Sequence, residues 1–190
     1  ALEDFKASNG KVILVTNAPR PIANVKDQIA SLGIKEHHYD MLLTSGDITS
    51  DYINIGCENK SNIFHIGGKR HHSIYKNMIH EKRISIEIDN IEFADLIVCT
   101  EPFDPLRDQL SDYESTFKIG IDKKLTLLCA NPDLVVDVGD KREMCAGSIA
   151  SMYERLGGRV IYFGKPHKNI YQEVYFFLRK FSGSKAKSIL

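Results

Sequence analysis

Residues 11–21 read Lys-Val-Ile-Leu-Val-Thr-Asn-Ala-Pro-Arg-Pro, and the fold turns on them. Lys11 to Val15 is a short apolar, β-branched run of the kind buried in a sheet. Thr16-Asn17-Ala18-Pro19-Arg20-Pro21 breaks it, and neither proline donates an N–H. Ile22, Val25, Ile29 and Leu32 then recur at helical spacing, and Gly33 fits a C-terminal stop. Met41 to Thr44 is a second short strand. Ser45-Gly46-Asp47 opens a helix carrying Ile48, Tyr52 and Ile55. Strand, helix, strand, helix is the rhythm of an α/β fold, a parallel sheet covered by helices.

The pattern restarts after a polar stretch from Cys57 to Asn62. Ile63 to Ile66 reads as a strand ending in Gly67-Gly68, followed by a weaker helix through Ile74 and Met78. Ala94 to Cys99 is a strand, Leu106, Leu110, Tyr113 and Phe117 mark a helix, and Leu125 to Ala130 is a strand closed by the turn Asn131-Pro132-Asp133. Ile149, Met152, Tyr153 and Leu156 mark a helix stopped by Gly157-Gly158. Val160 to Phe163 is a strand, Gly164-Lys165-Pro166 a loop, and Ile170, Val174, Phe177 and Phe181 the last helix. The break near Asn59-Lys60 and a second before Gly164 divide the chain into two α/β units, 1–59 with 164–190 and 60–163. Ala1 begins in a helix and Ser188-Ile189-Leu190 looks like the opening of a strand, so both ends read as cut.

Lysine plus arginine and aspartate plus glutamate number 25 each in 190 residues, so the formal net charge is zero. That balance gives no electrostatic reason to expect nucleic acid or an anionic membrane as the partner. No apolar run approaches a membrane span, and no signal peptide is visible. The cysteines, Cys57, Cys99, Cys129 and Cys145, include no CxxC pair and read as buried free thiols of a cytoplasmic protein. His65, His71 and His72, and His37 and His38, lie close in sequence. With no cysteine at zinc-like spacing they read as solvated or core residues.

Three places could carry chemistry. Thr16 puts a hydroxyl at the carboxyl end of a parallel strand, where α/β sheets bind ligands, just before a helix N-terminus that favours phosphate. The same residues also read as an ordinary turn with Thr16 as a cap. Lys165 sits directly after a strand, between a glycine that lets the backbone approach closely and a proline that starts a helix. Its compact charge suits a phosphate or carboxylate, though a surface lysine in a loop is the commoner case. Asn131 and Asp133 could present polar groups to a substrate, or simply form a turn.

In this order, these pieces resemble the C2-capped branch of the haloacid dehalogenase superfamily, subclass IIA, with its NagD-like, sugar, nucleotide and pyridoxal phosphate phosphatases. The matching strings are Leu14-Val15-Thr16-Asn17-Ala18-Pro19-Arg20, Thr44-Ser45, Gly67-Gly68, Ala130-Asn131-Pro132-Asp133, Cys145-Ala146-Gly147 and Gly164-Lys165-Pro166. The resemblance implies a partial Rossmann-like parallel-sheet core with an inserted α/β C2 cap over 60–163. It implies that Thr16 hydrogen-bonds the phosphoryl group, helped by the Asn17 backbone, and that Lys165 neutralises charge there. Asn131 and Asp133 would face substrate from the cap. The expected partner is a small phosphorylated metabolite, and a homo-oligomer through the cap fits the family.

Two departures qualify this. The family's nucleophile is one aspartate of a DxD pair on the first core strand, and no DxD precedes Thr16. Its Mg²⁺-holding acidic motif would follow the strand beginning near Ser188. Mg²⁺ is therefore expected in the intact protein without ligands from this chain, and the 190 residues alone are expected to be inactive. Gly46-Asp47-Ile48-Thr49-Ser50-Asp51 mimics the acidic motif in the wrong place, and Asp47 reads as a helix-capping or first-turn acid. Asp137, Asp140, Lys141 and Arg142 read as a solvated charged loop. The alternative reading is a non-catalytic protein that binds a phosphorylated metabolite on this scaffold.

Overall fold

The computed structural model describes residues 1–56, 61–81, 84–87 and 90–182. Cys57, the expected boundary at Asn59-Lys60 and the expected strand opening at Ser188 lie outside them. The first elements are α1 (Leu2–Ala7), β1 (Ile13–Thr16), α2 (Ile22–Ser31), β2 (Met41–Thr44) and α3 (Ser45–Gly56). β1 and β2 pair in parallel, with Thr16 level with Thr44 at their carboxyl ends. Gly33 follows α2 with φ of 86°, the left-handed conformation that ends a helix without cost to glycine.

The chain continues through β3 (Ser61–Ile66), a 3-10 segment (Lys69–Tyr75), α4 (Lys76–His80), β4 (Ile84–Glu87) and β5 (Leu96–Cys99). Then come a 3-10 turn (Leu110–Tyr113) leading into α5 (Glu114–Asp122), β6 (Thr126–Cys129), β7 (Val135–Val138) and β8 (Lys141–Met144). α6 (Ala146–Arg155), β9 (Arg159–Tyr162) and α7 (Lys168–Ser182) complete it. Five strands form a sheet in the order β4-β3-β5-β6-β9, every pair parallel.

Both faces of this sheet are covered, which is why its strands are apolar runs rather than alternating ones. Successive side chains point to opposite faces. Ile97, Cys99, Leu127 and Cys129 join Phe117 of α5 and Ile149 and Tyr153 of α6 on one side. Val98 and Leu128 join Tyr75, Phe163 and Ile53 of α3 on the other. Ile53 thus carries the first β-α-β-α unit onto the second sheet. Replacing it with alanine would cost about 2–5 kcal/mol, the range for emptying a buried aliphatic site. Cys99 and Cys129 are level on neighbouring strands. Burial and each other's proximity raise Cys99 well above an ordinary thiol, and burial pushes Cys129 up to about 12. Cys99, Cys129 and Cys145 are free and buried, as expected.

The differences from the sequence reading are local. Leu106 lies outside the helix it was expected to mark, which begins as a 3-10 turn at Leu110. The weak helix through Ile74 is 3-10 until Lys76. The charged segment around Asp137 is not a loop: β7 and β8 form an antiparallel hairpin in which Asp137 opposes Arg142, 2.9 Å from carboxylate to guanidinium. Asp140 sits at its turn with Gly139, and Lys141 opens β8 opposite Val138. Among the described residues, no helix is long and apolar enough to cross a membrane.

Candidate functional site

The strands of a parallel sheet all end on one side, so their following loops gather there. After β1, the Thr16 hydroxyl accepts a hydrogen bond from the Ala18 N–H at 3.2 Å. That use of its oxygen leaves the hydroxyl hydrogen to donate elsewhere. Asn17 is buried. Its Oδ1 accepts from the Lys165 N–H at 2.7 Å, and its Nδ2 donates to the Lys165 carbonyl at 3.0 Å and to Asp133 Oδ1 at 2.8 Å. The loops after β1, β6 and β9 therefore meet at one side chain. Asn131 closes its own turn, its Oδ1 accepting from the Asp133 N–H at 3.1 Å. Lys165 is exposed, and its ammonium has no partner among the described residues.

Small residues make this convergence sterically feasible. Gly164 has φ of 118°, and a Cβ there would meet Ser45 Oγ, Asn17 Oδ1 and Pro132. Ser45 Oγ donates to the Phe163 carbonyl at 2.6 Å. A Cβ at Gly147 would strike the carbonyls of Pro132 and Asp133, and one at Gly46 would strike the Arg20 backbone. Gly46 and Gly147 thus mark places where two backbones touch, and Gly164 one where the chain presses on the side chains of its neighbours.

Asp47 is a first-turn acid of α3, but the helix it caps is α2. Its Oδ2 accepts from the Ile22 N–H at 2.9 Å and from the Thr44 hydroxyl at 2.6 Å. Burial raises its pKa against those bonds, with nearby Asp51 adding to the rise.

Two adjoining clefts open between the loops. Thr16, Asn17, Asn131 and Asp133 line one of about 320 Å³. The other, about 350 Å³, runs from Ala18-Pro19-Arg20 to Arg70, His71 and Glu101. Ala18, Arg20, Asn131, Val136 and Cys145 belong to both walls. The expected residues Thr16, Asn17, Asn131 and Asp133 thus share one cleft, though Asn17 and Asp133 spend side-chain atoms on one another. Lys165 lines neither cleft and joins them through its backbone bonds to Asn17.

The corner of Arg70, His71 and Glu101 was not foreseen. Gly68 N donates to Glu101 Oε1 at 3.2 Å, Arg70 Nε donates to it at 2.9 Å, and Arg70 Nη2 grips the other oxygen. His71 Nε2 lies 3.1 Å from the same Oε1. Burial works to raise the Glu101 carboxyl, but the bonds and charges of His71 and Arg70 outweigh it and hold it at about 2. Behind them His65 is fully buried, its Nδ1 2.8 Å from the Tyr75 hydroxyl. Burial first, then the His72 and His71 rings, push His65 down to about 3. The signal was available: Gly67-Gly68 and Thr100-Glu101 follow β3 and β5 as Asn17-Ala18 follows β1.

Magnesium prefers several oxygen ligands. The carboxylates near these strand ends, Asp133, Asp47 and Glu101, are engaged with Asn17, with Thr44 and Ile22, and with Gly68, Arg70 and His71, so they do not compose a magnesium ligand set. Elsewhere Glu3, His37 and His38 bring ligating atoms within 4.8 Å of one another. His38 Nδ1 accepts from the Lys35 N–H at 3.1 Å, which leaves the neutral ring's proton on Nε2, facing Glu3. That arrangement is a hydrogen-bonded tie between α1 and the turn at His38, not a metal centre.

No protein-family description matches the chain, and no curated protein does. Solved structures do. A haloacid dehalogenase-like hydrolase from Brucella suis 1330 aligns at 35% identity and TM-score 0.82, over 98% of this chain and 66% of that one. A possible sugar phosphatase of the same superfamily from Cytophaga hutchinsonii aligns at 23% identity and TM-score 0.70, over 94% and 64%. An NPPase from Geobacillus stearothermophilus aligns at 20% identity and TM-score 0.68, over 93% and 67%. The last two speak to the fold alone. The chain spans about two thirds of the length of these proteins. With the first match running along nearly its whole length, the chain belongs to the haloacid dehalogenase-like hydrolase family.

Proposed function

We propose that the intact protein is a Mg²⁺-dependent phosphatase of small phosphorylated metabolites, of the sugar phosphate, nucleotide or pyridoxal phosphate type, working through an aspartyl-phosphate. In this reading 1–59 and 164–190 belong to the core and 60–163 is the C2 cap, consistent with β1 and β2 forming one sheet and β3 to β6 with β9 another. The observation that carries the proposal is the meeting of the loops after β1 and β9. It joins a hydroxyl with a hydrogen to give, at Thr16, to the loop bearing, at Lys165, an ammonium with no partner among the described residues.

Phosphoryl transfer is mainly a matter of positioning and charge stabilisation. Thr16 would hold one phosphoryl oxygen through its hydroxyl. Lys165 would offset the negative charge on the phosphoryl oxygens. Arg20, Arg70 and Glu101 line the larger cleft, where the rest of the substrate would lie. The nucleophilic aspartate is not among these residues, so the 190-residue chain by itself is expected to hold a phosphate ester without cleaving it.

The test is hydrolysis of an aryl phosphate and a panel of phosphate esters by the natural gene product, with and without Mg²⁺. Cleavage should need Mg²⁺, and Lys165→Ala should lower kcat by about 10²–10³, the loss typical of removing one charge-stabilising group. Turnover by the 190 residues above their Lys165→Ala variant would refute the inactivity claim. Binding of phosphate esters by the gene product without cleavage would favour the alternative, a sensor of a phosphorylated metabolite. That alternative draws on the same pair, Thr16 and Lys165, which needs no aspartate to bind.

A further inference from the structure

We propose that Asn17 and Asp133 act through their side chains as positioning residues: they form a three-loop clamp that sets the Lys165 backbone beside Thr16, and neither side chain touches substrate. This deepens the phosphatase reading and, for its kinetic test, rests on it.

A primary amide has two N–H donors. In Asn17 both are used, one on the Lys165 carbonyl and one on Asp133 Oδ1, while Oδ1 takes the Lys165 N–H. The amide therefore grips both backbone polar groups of a single residue, as a neighbouring strand would. It is buried, so a donor taken from this network for a phosphoryl oxygen would leave another group unpaired, at real cost.

Asp133 decides which way the amide faces. A carboxylate accepts and does not donate, so Nδ2 must point to it. Flipping Asn17 would set Oδ1 against that carboxylate and Nδ2 against the Lys165 N–H, breaking every bond of the clamp. Asp133 is itself held by its turn with Asn131 and by the Gly147 N–H, which donates to its carbonyl at 3.0 Å at the start of α6. Phe163, two residues before Lys165, is tied to Ser45. Lys165 is thereby fixed by its backbone alone, and its ammonium stays available. Direct substrate contact by Asp133 would instead have to come from Oδ2, the carboxylate oxygen that Asn17 does not hold.

The two roles separate in conservative variants of the natural gene product. Asp133→Asn keeps an oxygen able to accept from Asn17 Nδ2, whereas Asp133→Ala does not. Amide hydrogen exchange at Lys165, whose N–H donates to Asn17, is the first readout. Asn17→Ala and Asp133→Ala should speed it by about tenfold or more, as loss of a protecting bond does, and Asp133→Asn should not. Unchanged exchange in Asn17→Ala would overturn the clamp.

Aryl phosphate hydrolysis is the second readout. Asp133→Ala should lower kcat by about ten- to a hundred-fold with little change in KM, the scale of misplacing one catalytic group by an ångström. Asp133→Asn should stay within about threefold of the parent, since it preserves the bond. Equal damage from both variants would mean that the carboxylate acts on substrate, and the proposal would fail. Asn17→Asp sets two carboxylates against each other and should impair, and adding Asp133→Asn should restore much of the rate. If Asp133→Ala does not fold, this pair and Asp133→Asn still decide. If the parent cleaves no ester at all, the phosphatase reading falls, while exchange at Lys165 still judges the clamp.

Discussion

Where Asn17 meets Asp133 and Lys165, loops are joined by a neutral amide, backbone groups and one carboxylate. Where Arg70 and His71 meet Glu101, they are joined by charge. The first corner is strict about shape, because each N–H of the Asn17 amide has its own partner and Gly164 leaves no room. The second tolerates small displacements, since charge acts over distance, but it answers to pH. One molecule thus holds its strand-end loops by two kinds of force, and each should fail under a different stress.

The largest effect should come from adding one methyl group at the first corner. Gly164→Ala forces a left-handed residue and drives a Cβ into Ser45 and Asn17. Strain and overpacking together should cost about 3–5 kcal/mol, read as a fall in the unfolding midpoint. Ser45→Ala should cost less, about 1–3 kcal/mol, for the buried Phe163 carbonyl left without its donor. A midpoint unmoved by either variant would mean that the corner is looser than described.

Acid should act on the second corner. The folded His65 titrates near 3 and the unfolded ring near 6.5, so the unfolded chain takes the proton first as pH falls below 6.5. That stability is full above 6.5 and is lost toward 3. Glu101 is held near 2 against 4.5, so its contribution is full above 4.5 and is lost as pH falls from there toward 2. Unfolding midpoints measured from pH 7 to pH 4 should drop. His65→Asn should flatten the upper part of that fall and Glu101→Gln the lower. At the bottom of the scale, Arg142→Ala breaks an exposed pair on the hairpin and should leave the midpoint where it is.

Much of this was legible from residues alone. Met41 to Thr44 is a strand with the expected ends because it is a largely buried parallel strand, apolar up to Thr44 and stopped by helix-starting residues. Thr16 and Lys165 could be singled out because the first ends a parallel strand and the second lies in the loop after one. β7 was missed because all four of its residues are exposed and its hairpin depends on Gly139 taking φ of 60°. Glu101 was missed because its importance comes from partners at Gly68, Arg70 and His71, about 30 residues upstream. The side-chain partners of Asn17 were out of reach for the same reason: periodicity reports which face a residue takes, not whom it meets.

The Asn17 clamp also bears on the order of folding. Its bonds span 116 and 148 residues. Contacts that close loops of such length form late, after local strands and helices have repaid part of the entropy. β1 is made early in synthesis, yet the loop after it has no finished partner until the ribosome has released Lys165. Until then the Asn17 amide must be satisfied by water. The Thr16–Lys165 arrangement is therefore absent from every shorter nascent chain, and whatever chemistry it performs is withheld until the loop after β9 has docked.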